Sequence, residues 1–222
     1  MEKKILLDMD GVLVDFLSGA LDAVNKEFNR DVTLEQYALE FGKWETYDYF
    51  GISKEEFWNA IELVPNFWIN LKPIPWYKEL YDRLSVIGEV TIVTSPSTDP
   101  DCAKEKLIWL RKYLGISSDK VFIGGRKYLF AGNGILIDDY YSNINSFVKL
   151  GGEAILVPSV WNTPGLTFDM VWNQIETYIY GMRGHRAYYT WGSDRNIHTV
   201  SVDTSMYEGI GVVFGRKSKT SW

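Results

Sequence analysis

Residues Ile5-Leu6-Leu7 run without a polar break into Asp8-Met9-Asp10-Gly11-Val12. A short, continuously apolar run of this kind reads as a strand buried on both faces of a parallel sheet. Ending it in two carboxylates at i and i+2 gains nothing by itself, because like charges at close quarters repel and raise each other's pKa. A divalent cation offsets that cost and draws a phosphate to the same place. The plainer alternative is an acidic turn, and Asp-x-Asp-Gly also opens calcium loops. A calcium loop needs a Glu after about five further residues, and Asp15-Phe16-Leu17 supplies none.

Histidine narrows the chemistry further. His185 and His198 are the only two in 222 residues, so residues 1–180 hold no Ser-His or Cys-His pair and no His-based metal site. Carboxylates, hydroxyls and lysines are left to do the work. The only cysteine, Cys102, excludes an internal disulfide and a Cys-based zinc site, and a reducing, cytoplasmic setting is expected. No apolar stretch approaches the ~18–20 residues of a membrane span. The first strand starts almost at once, so no signal peptide is expected. Residues 181–222 hold six Lys/Arg against three Asp/Glu, which leaves −9 for residues 1–180 within the total of −6. An acidic body suits a polymeric nucleic acid poorly, since such binding rests on neutralising phosphates.

Five apolar runs at 4–8, 89–94, 120–123, 134–138 and 153–157 read as strands, and 75–86, 100–114 and 142–150 between them as helices. Asp99-Pro100 suggests an N-cap followed by proline at the first helical position, and a last helix from about 167 to 180 stops at Gly181, a plausible C′ residue. This pattern gives an α/β fold, a doubly wound parallel sheet. The α/β core is expected at 1–17 and 73–180. Residues 18–72 break the rhythm with helical patterns and two capping-box signatures, Thr33-x-x-Gln36 and Ser53-x-x-Glu56. They form a helical insertion whose many aromatics are mostly its own core, with some left to line a pocket for a flat ring. The segment 181–222 reads as a β-like appendage, with strand patterns at 196–203 and 208–214.

Ligands of a parallel sheet bind beyond the carboxyl ends of its strands. There the second strand delivers Thr94-Ser95, the fourth delivers Asp138-Asp139, and Arg126-Lys127 lies between them after Gly124-Gly125. In this arrangement the chain resembles the haloacid dehalogenase superfamily of phosphohydrolases: Asp8-Met9-Asp10-Gly11-Val12 matches its first motif, Thr94-Ser95 its second, Lys127 its third and Asp138-Asp139 its fourth. Within that superfamily, Asp15-Phe16, Asn66-Phe67-Trp68 before Leu71-Lys72-Pro73-Ile74-Pro75, and Thr94-Ser95-Pro96 are similar to the 5′(3′)-deoxyribonucleotidases. The similarity spans about 1–160.

The resemblance implies a small magnesium enzyme with a helical cap after the first strand. It makes Asp8 the nucleophile that forms an aspartyl-phosphate, and Asp10 the general acid and then base, its carbonyl reaching the metal. Thr94, Ser95 and Lys127 would bind phosphate, Asp138 and Asp139 would join Asp8 and Asp10 in holding Mg²⁺, and Phe16 would stack on a base with Trp44, Phe67 and Trp68 completing the pocket. Asn133-Gly134 lengthens the stretch before the acidic pair by about one residue, which leaves Arg126 as an alternative in the third role. The implied partner is a small phosphate ester, a deoxynucleoside monophosphate, with no polymeric nucleic acid and no membrane, and with a homodimer left open. The rivals are another phosphatase of the same fold acting on a sugar phosphate, a phosphonatase using Lys43 or Lys54 as Schiff base, a receiver-like phospho-acceptor domain, and a silent binding module.

Overall fold

A computed structural model describes residues 3–162, together with 169, 171–173, 175–176, 188–191, 197–200 and 213–214. The run that opens the chain becomes β1 (Lys3–Leu7), in the middle of a parallel sheet. To one side lie β2 (Gly88–Thr94) and then β3 (Val121–Ile123); to the other lie β4 (Ile135–Asp138) and then β5 (Glu153–Leu156). These are the five strands expected from the apolar runs, all parallel in the order β3-β2-β1-β4-β5. Their continuous hydrophobicity has the anticipated cause: Ile5, Leu7 and every residue of β4 are buried.

The chain moves outward from β1 in one direction and then returns to its other side, so a crevice opens where the strand order reverses. Register places the chemistry there. Leu7 pairs with both Ile92 and Ile137, and the Asp8 amide donates to the Ile137 carbonyl at 2.9 Å. Asp8 therefore stands beside Asp138 at the end of β4.

Between β1 and β2 the chain is helical: α1 (Phe16–Phe28), α2 (Leu34–Glu40), α3 (Thr46–Phe50), α4 (Lys54–Glu62), α5 (Phe67–Asn70) and α6 (Tyr77–Ile87). The first five fill the interval expected to carry the insertion. Both capping boxes form, Thr33 with Gln36 and Ser53 with Glu56, each side chain satisfying the other's backbone amide. The excursion leaves and re-enters at one place, because Asp15 N–H donates to the Lys72 carbonyl and Ile74 N–H to the Leu13 carbonyl, both at 2.9 Å.

After β2 comes α7 (Asp101–Leu114), and between β4 and β5 lies α8 (Tyr141–Lys149). Asp99 caps α7 as expected: its carboxylate accepts from the Asp101 amide at 2.8 Å, and Pro100 between them already holds helical angles, φ −59° and ψ −28°. The expected last helix, 167–180, falls largely outside the described residues. So does most of the appendage, although Tyr188–Trp191 (β6) pairs antiparallel with Ile197–Val200 (β7), and Val213–Phe214 (β8) with β5. Among the described residues no helix is long and apolar enough to cross a membrane.

Candidate active site

The ends of β1 and β4, the turn after β3 and the helix α7 deliver a set of charges to the crevice. Asp8 follows β1 at 5% exposure, with Asp138 and Asp139 at the end of β4 at 0% and 1%. Carboxylate oxygens of these three lie within 4.8 Å of one another. Lys127, at the start of a short 3₁₀ turn after β3, has its ammonium 2.7 Å from Asp8 Oδ1 and 2.7 Å from Asp138 Oδ2. Arg126 is exposed, so Lys127 is the cation the fold brings into the third-motif position. Asn133-Gly134 lie in the turn between that 3₁₀ turn and β4. Gly134 there presses on the Lys4 carbonyl, where a Cβ would come within 2.7 Å.

Among the described residues, one cation against three buried carboxylates leaves the group short of positive charge. Burial, followed by Asp138, drives the Asp8 carboxyl up to about 7 against an ordinary 3.8, although Lys127 opposes the shift. Burial and then Asp8 hold Asp139 well above the usual carboxylate range. For Lys127 burial works to lower the value, but Asp138 and Asp8 outweigh it and keep the ammonium charged. A divalent cation is the natural remedy, and the donors are all hard oxygens.

The two adjacent carboxylates are not equivalent. Asp138 has both oxygens engaged, by Lys127, by the Tyr140 amide at 2.8 Å and by Asn143 Nδ2. Among the described residues, Asp139 Oδ2 is buried without a hydrogen-bond partner. That orphaned oxygen, beside Asp8, fits a metal ligand, whereas Asp138 fits the support that holds Lys127 and the loop. Asp139 is held from behind, its carbonyl accepting from Trp161 Nε1 and, at 2.7 Å, from Asn162 Nδ2.

Asp10 lies apart from the three-carboxylate group. Its Oδ2 meets Lys106 Nζ, from α7, at 2.5 Å, and Thr94 Oγ1 stands 3.5 Å away. Thr94 is fully buried and accepts from Lys106 at 2.9 Å, so the structure places its hydroxyl behind Asp10 and Ser95 on the cavity wall. Lys106 was not anticipated from the sequence. The signal was present: Cys102, Glu105, Lys106, Trp109 and Leu110 share the buried stripe of α7, so two of its charged residues occupy core positions.

A cavity of about 220 Å³ opens over these groups, from Asp8, Asp10, Ser95 and Lys127 out to Phe16, Trp44, Trp58 and Trp68. Phe16 is stacked on Trp68 at 5.6 Å and 12°, and faces Trp44 at 6.4 Å and 25°. Phe67 does not line the cavity; it meets Phe16 edge-on from behind at 6.1 Å. Trp58 and Tyr140, not singled out from the sequence, do line it. A second cavity continues past Phe16, Trp44 and Trp58 to Glu45, Tyr47 and Lys54, while Lys43 stands over the Phe41 ring instead.

Comparison with known proteins agrees with this geometry. The family model described as 5′ nucleotidase, deoxy (pyrimidine), cytosolic type C protein matches residues 2–183. The 5′(3′)-deoxyribonucleotidase of Bacillus subtilis (strain 168) is 30% identical over 179 residues, covering 79% of this chain and 98% of that one. A relative from Staphylococcus aureus (strain MSSA476) is 29% identical over 181 residues, 79% of this chain and 94% of that one. Among solved structures, CbbY from Rhodobacter sphaeroides in complex with phosphate shares the fold, with a TM-score of 0.50 at 14% identity over 76% of this chain and 91% of that one. The chain belongs to the 5′ nucleotidase, deoxy (pyrimidine), cytosolic type C family, phosphoric monoester hydrolases built on the haloacid dehalogenase fold.

Proposed function

We propose that the chain is a magnesium-dependent, cytoplasmic phosphomonoesterase that removes phosphate from deoxynucleoside monophosphates through an aspartyl-phosphate on Asp8. The observation that carries the reading is the Asp8–Lys127–Asp138 contact set beside the unpartnered Asp139 oxygen, at the floor of an aromatic-walled cavity.

The divisions of labour follow from chemistry. An Asp8 oxygen attacks phosphorus while the bond from phosphorus to the nucleoside oxygen breaks, and Asp10 gives that oxygen its proton. Water then attacks the aspartyl-phosphate, Asp10 takes up the water's proton, and inorganic phosphate leaves with Asp8 restored. Lys127 holds Asp8 in line and counters the charge on the phosphoryl oxygens, and Ser95 meets those oxygens from the wall of the cavity. Asp8 and Asp139 would hold Mg²⁺, with the Asp10 carbonyl as a further donor; once bound, the ion neutralises phosphate charge as a Lewis acid. Phosphoryl transfer is mostly positioning and charge stabilisation, so a histidine-free set suffices.

The aromatic walls favour a flat base over a sugar. Stacking on an aromatic side chain contributes about 1–3 kcal/mol per base, and the name of the Bacillus subtilis relative points to the same substrate class. Deoxynucleoside 5′-monophosphates, those of uracil and thymine first, should therefore exceed glucose 6-phosphate and glycerol phosphates in kcat/KM. Equal efficiency on dUMP and the sugar phosphates would remove the nucleotide assignment and leave a general phosphatase.

A further inference from the structure

We propose that Lys106 is a positioning residue for the reaction, holding the Asp10 carboxyl in the orientation from which it transfers protons. The inference rests on the role proposed above for Asp10.

The side chain reaches the site from α7 and is 1% exposed, so its charge must be met within the protein. An ammonium has three protons to donate. Lys106 directs them to Asp10 Oδ2 at 2.5 Å, to Thr94 Oγ1 at 2.9 Å and to the Ser95 carbonyl at 2.8 Å. All three acceptors belong to the protein, so no donor is left for a ligand phosphate. The ammonium also stands over the Trp68 ring, with Nζ 4.7 Å from its centre.

Asp10 depends on this contact. Among the described residues its Oδ1 is buried with no partner, and apart from Lys106 its Oδ2 has only Thr94, at 3.5 Å, the far limit of a hydrogen bond. Thr94 is itself oriented by Lys106. Removing the ammonium leaves the Asp10 side chain without a close partner and free to turn, whereas Asp8 keeps its own anchor in Lys127. The two lysines thus serve different carboxylates, Lys127 the nucleophile and Lys106 the proton-transfer group.

A positioning role for proton transfer has a signature that loss of phosphate binding lacks. Protonation matters most for poor leaving groups and little for p-nitrophenolate. The experiment compares kcat/KM, with Mg²⁺, on p-nitrophenyl, phenyl and propyl phosphate, none of which carries a base to touch Trp68. For Lys106→Met the expected result is a loss of about 100-fold on propyl phosphate, a smaller one on phenyl phosphate and less than about 5-fold on p-nitrophenyl phosphate.

Asp10→Asn should show the same steepening, and adding Lys106→Met to it should cost less than about 3-fold more, because the two residues act through one another. The double variant also removes both members of the buried ion pair, so it gives a reading even where the single variant folds poorly. Equal losses across the three esters, no loss on any of them, or independent losses in the double variant would overturn the proposal. Failure of the Asp10 assignment is distinguishable: there Asp10→Asn itself would show no leaving-group dependence.

Discussion

Glu105 Oε2 accepts the backbone N–H of Trp68 at 3.0 Å, joining residues 37 positions apart. The same oxygen lies 3.4 Å from the Ile69 amide, so one buried carboxylate holds the first turn of α5. Trp109, one turn along α7, donates its indole N–H to the Leu71 carbonyl at 2.9 Å, and Asp99 receives the Trp68 indole N–H at 3.1 Å. The beginning of α7 therefore carries the wall of the cavity on Glu105 and the carboxyl of Asp10 on Lys106, two adjacent residues.

Glu105→Gln should weaken the grip on α5 while preserving the shape of the side chain. A buried hydrogen bond from a charged partner is worth about 1.5–3 kcal/mol, so urea denaturation should show a loss of that order. KM for a deoxynucleoside monophosphate should rise as Trp68 shifts, while kcat/KM for p-nitrophenyl phosphate changes little. An unchanged KM would mean that Trp68 does not face the nucleotide.

The aromatic wall divides by burial. Phe16 is 6% exposed with Trp44, Trp58, Phe67 and Trp68 around it, so Phe16→Ala should destabilise the fold by about 3–5 kcal/mol besides raising KM. Trp58 is only half-buried and lines both cavities. Trp58→Ala is the cleaner test: KM for the nucleotide should rise about tenfold, the lower end of a stacking contribution. A Trp58→Ala protein with wild-type KM would place the base elsewhere.

Gly11 tests the metal position. It has φ +74°, and a Cβ there would overlap Asp139 Oδ2 and come within 2.7 Å of its Cγ, with the Trp161 ring 3.1 Å away. Asp139 is packed on that side and cannot retreat without losing its place beside Asp8. Gly11→Ala should raise the Mg²⁺ concentration for half-maximal activity by about 10-fold or more, the scale of disturbed metal ligands. Half-saturation within twofold of wild type would assign the ion to other oxygens.

Metal removal should couple stability to pH in a definite direction. In the metal-free protein Asp8 keeps its proton up to about pH 7, whereas an ordinary Asp releases it near 3.8. Between those values the folded state binds more protons than the unfolded one, so this group's contribution to stability falls as pH rises through the window. On the proposed function, Mg²⁺ would take the place of the proton, so its effect on Tm should be greater at about pH 7.5 than at about pH 5. A Tm gain that is independent of pH would separate metal binding from these carboxylates.

Strand positions and both capping boxes were legible because each rests on a local pattern: unbroken β-branched runs, and Ser or Thr three residues before Gln or Glu. Asp8, Asp10, Lys127, Asp138 and Asp139 were legible as strand-end residues brought to one edge by topology. Lys106 and Glu105 were not, since Lys and Glu on a helix ordinarily read as its solvated face. Only their place on the stripe of Cys102, Trp109 and Leu110 betrays them. The choice between Arg126 and Lys127 turned on which side chain a short 3₁₀ turn directs inward, and spacing alone does not encode that. Phe67 and Trp58 differ for a similar reason: each is an aromatic on a short helix, and which one reaches the cavity is set by how α4 and α5 pack on Phe16.

The most direct measurement is turnover of dUMP by wild type and by Asp8→Asn in the presence of Mg²⁺, with circular dichroism to show that both are folded. Removing a covalent nucleophile costs several kcal/mol of barrier, so the variant should retain less than about a thousandth of the wild-type kcat while keeping its fold. A folded Asp8→Asn enzyme that turns over dUMP within about tenfold of wild type would contradict the aspartyl-phosphate mechanism, because no such intermediate could then form on residue 8.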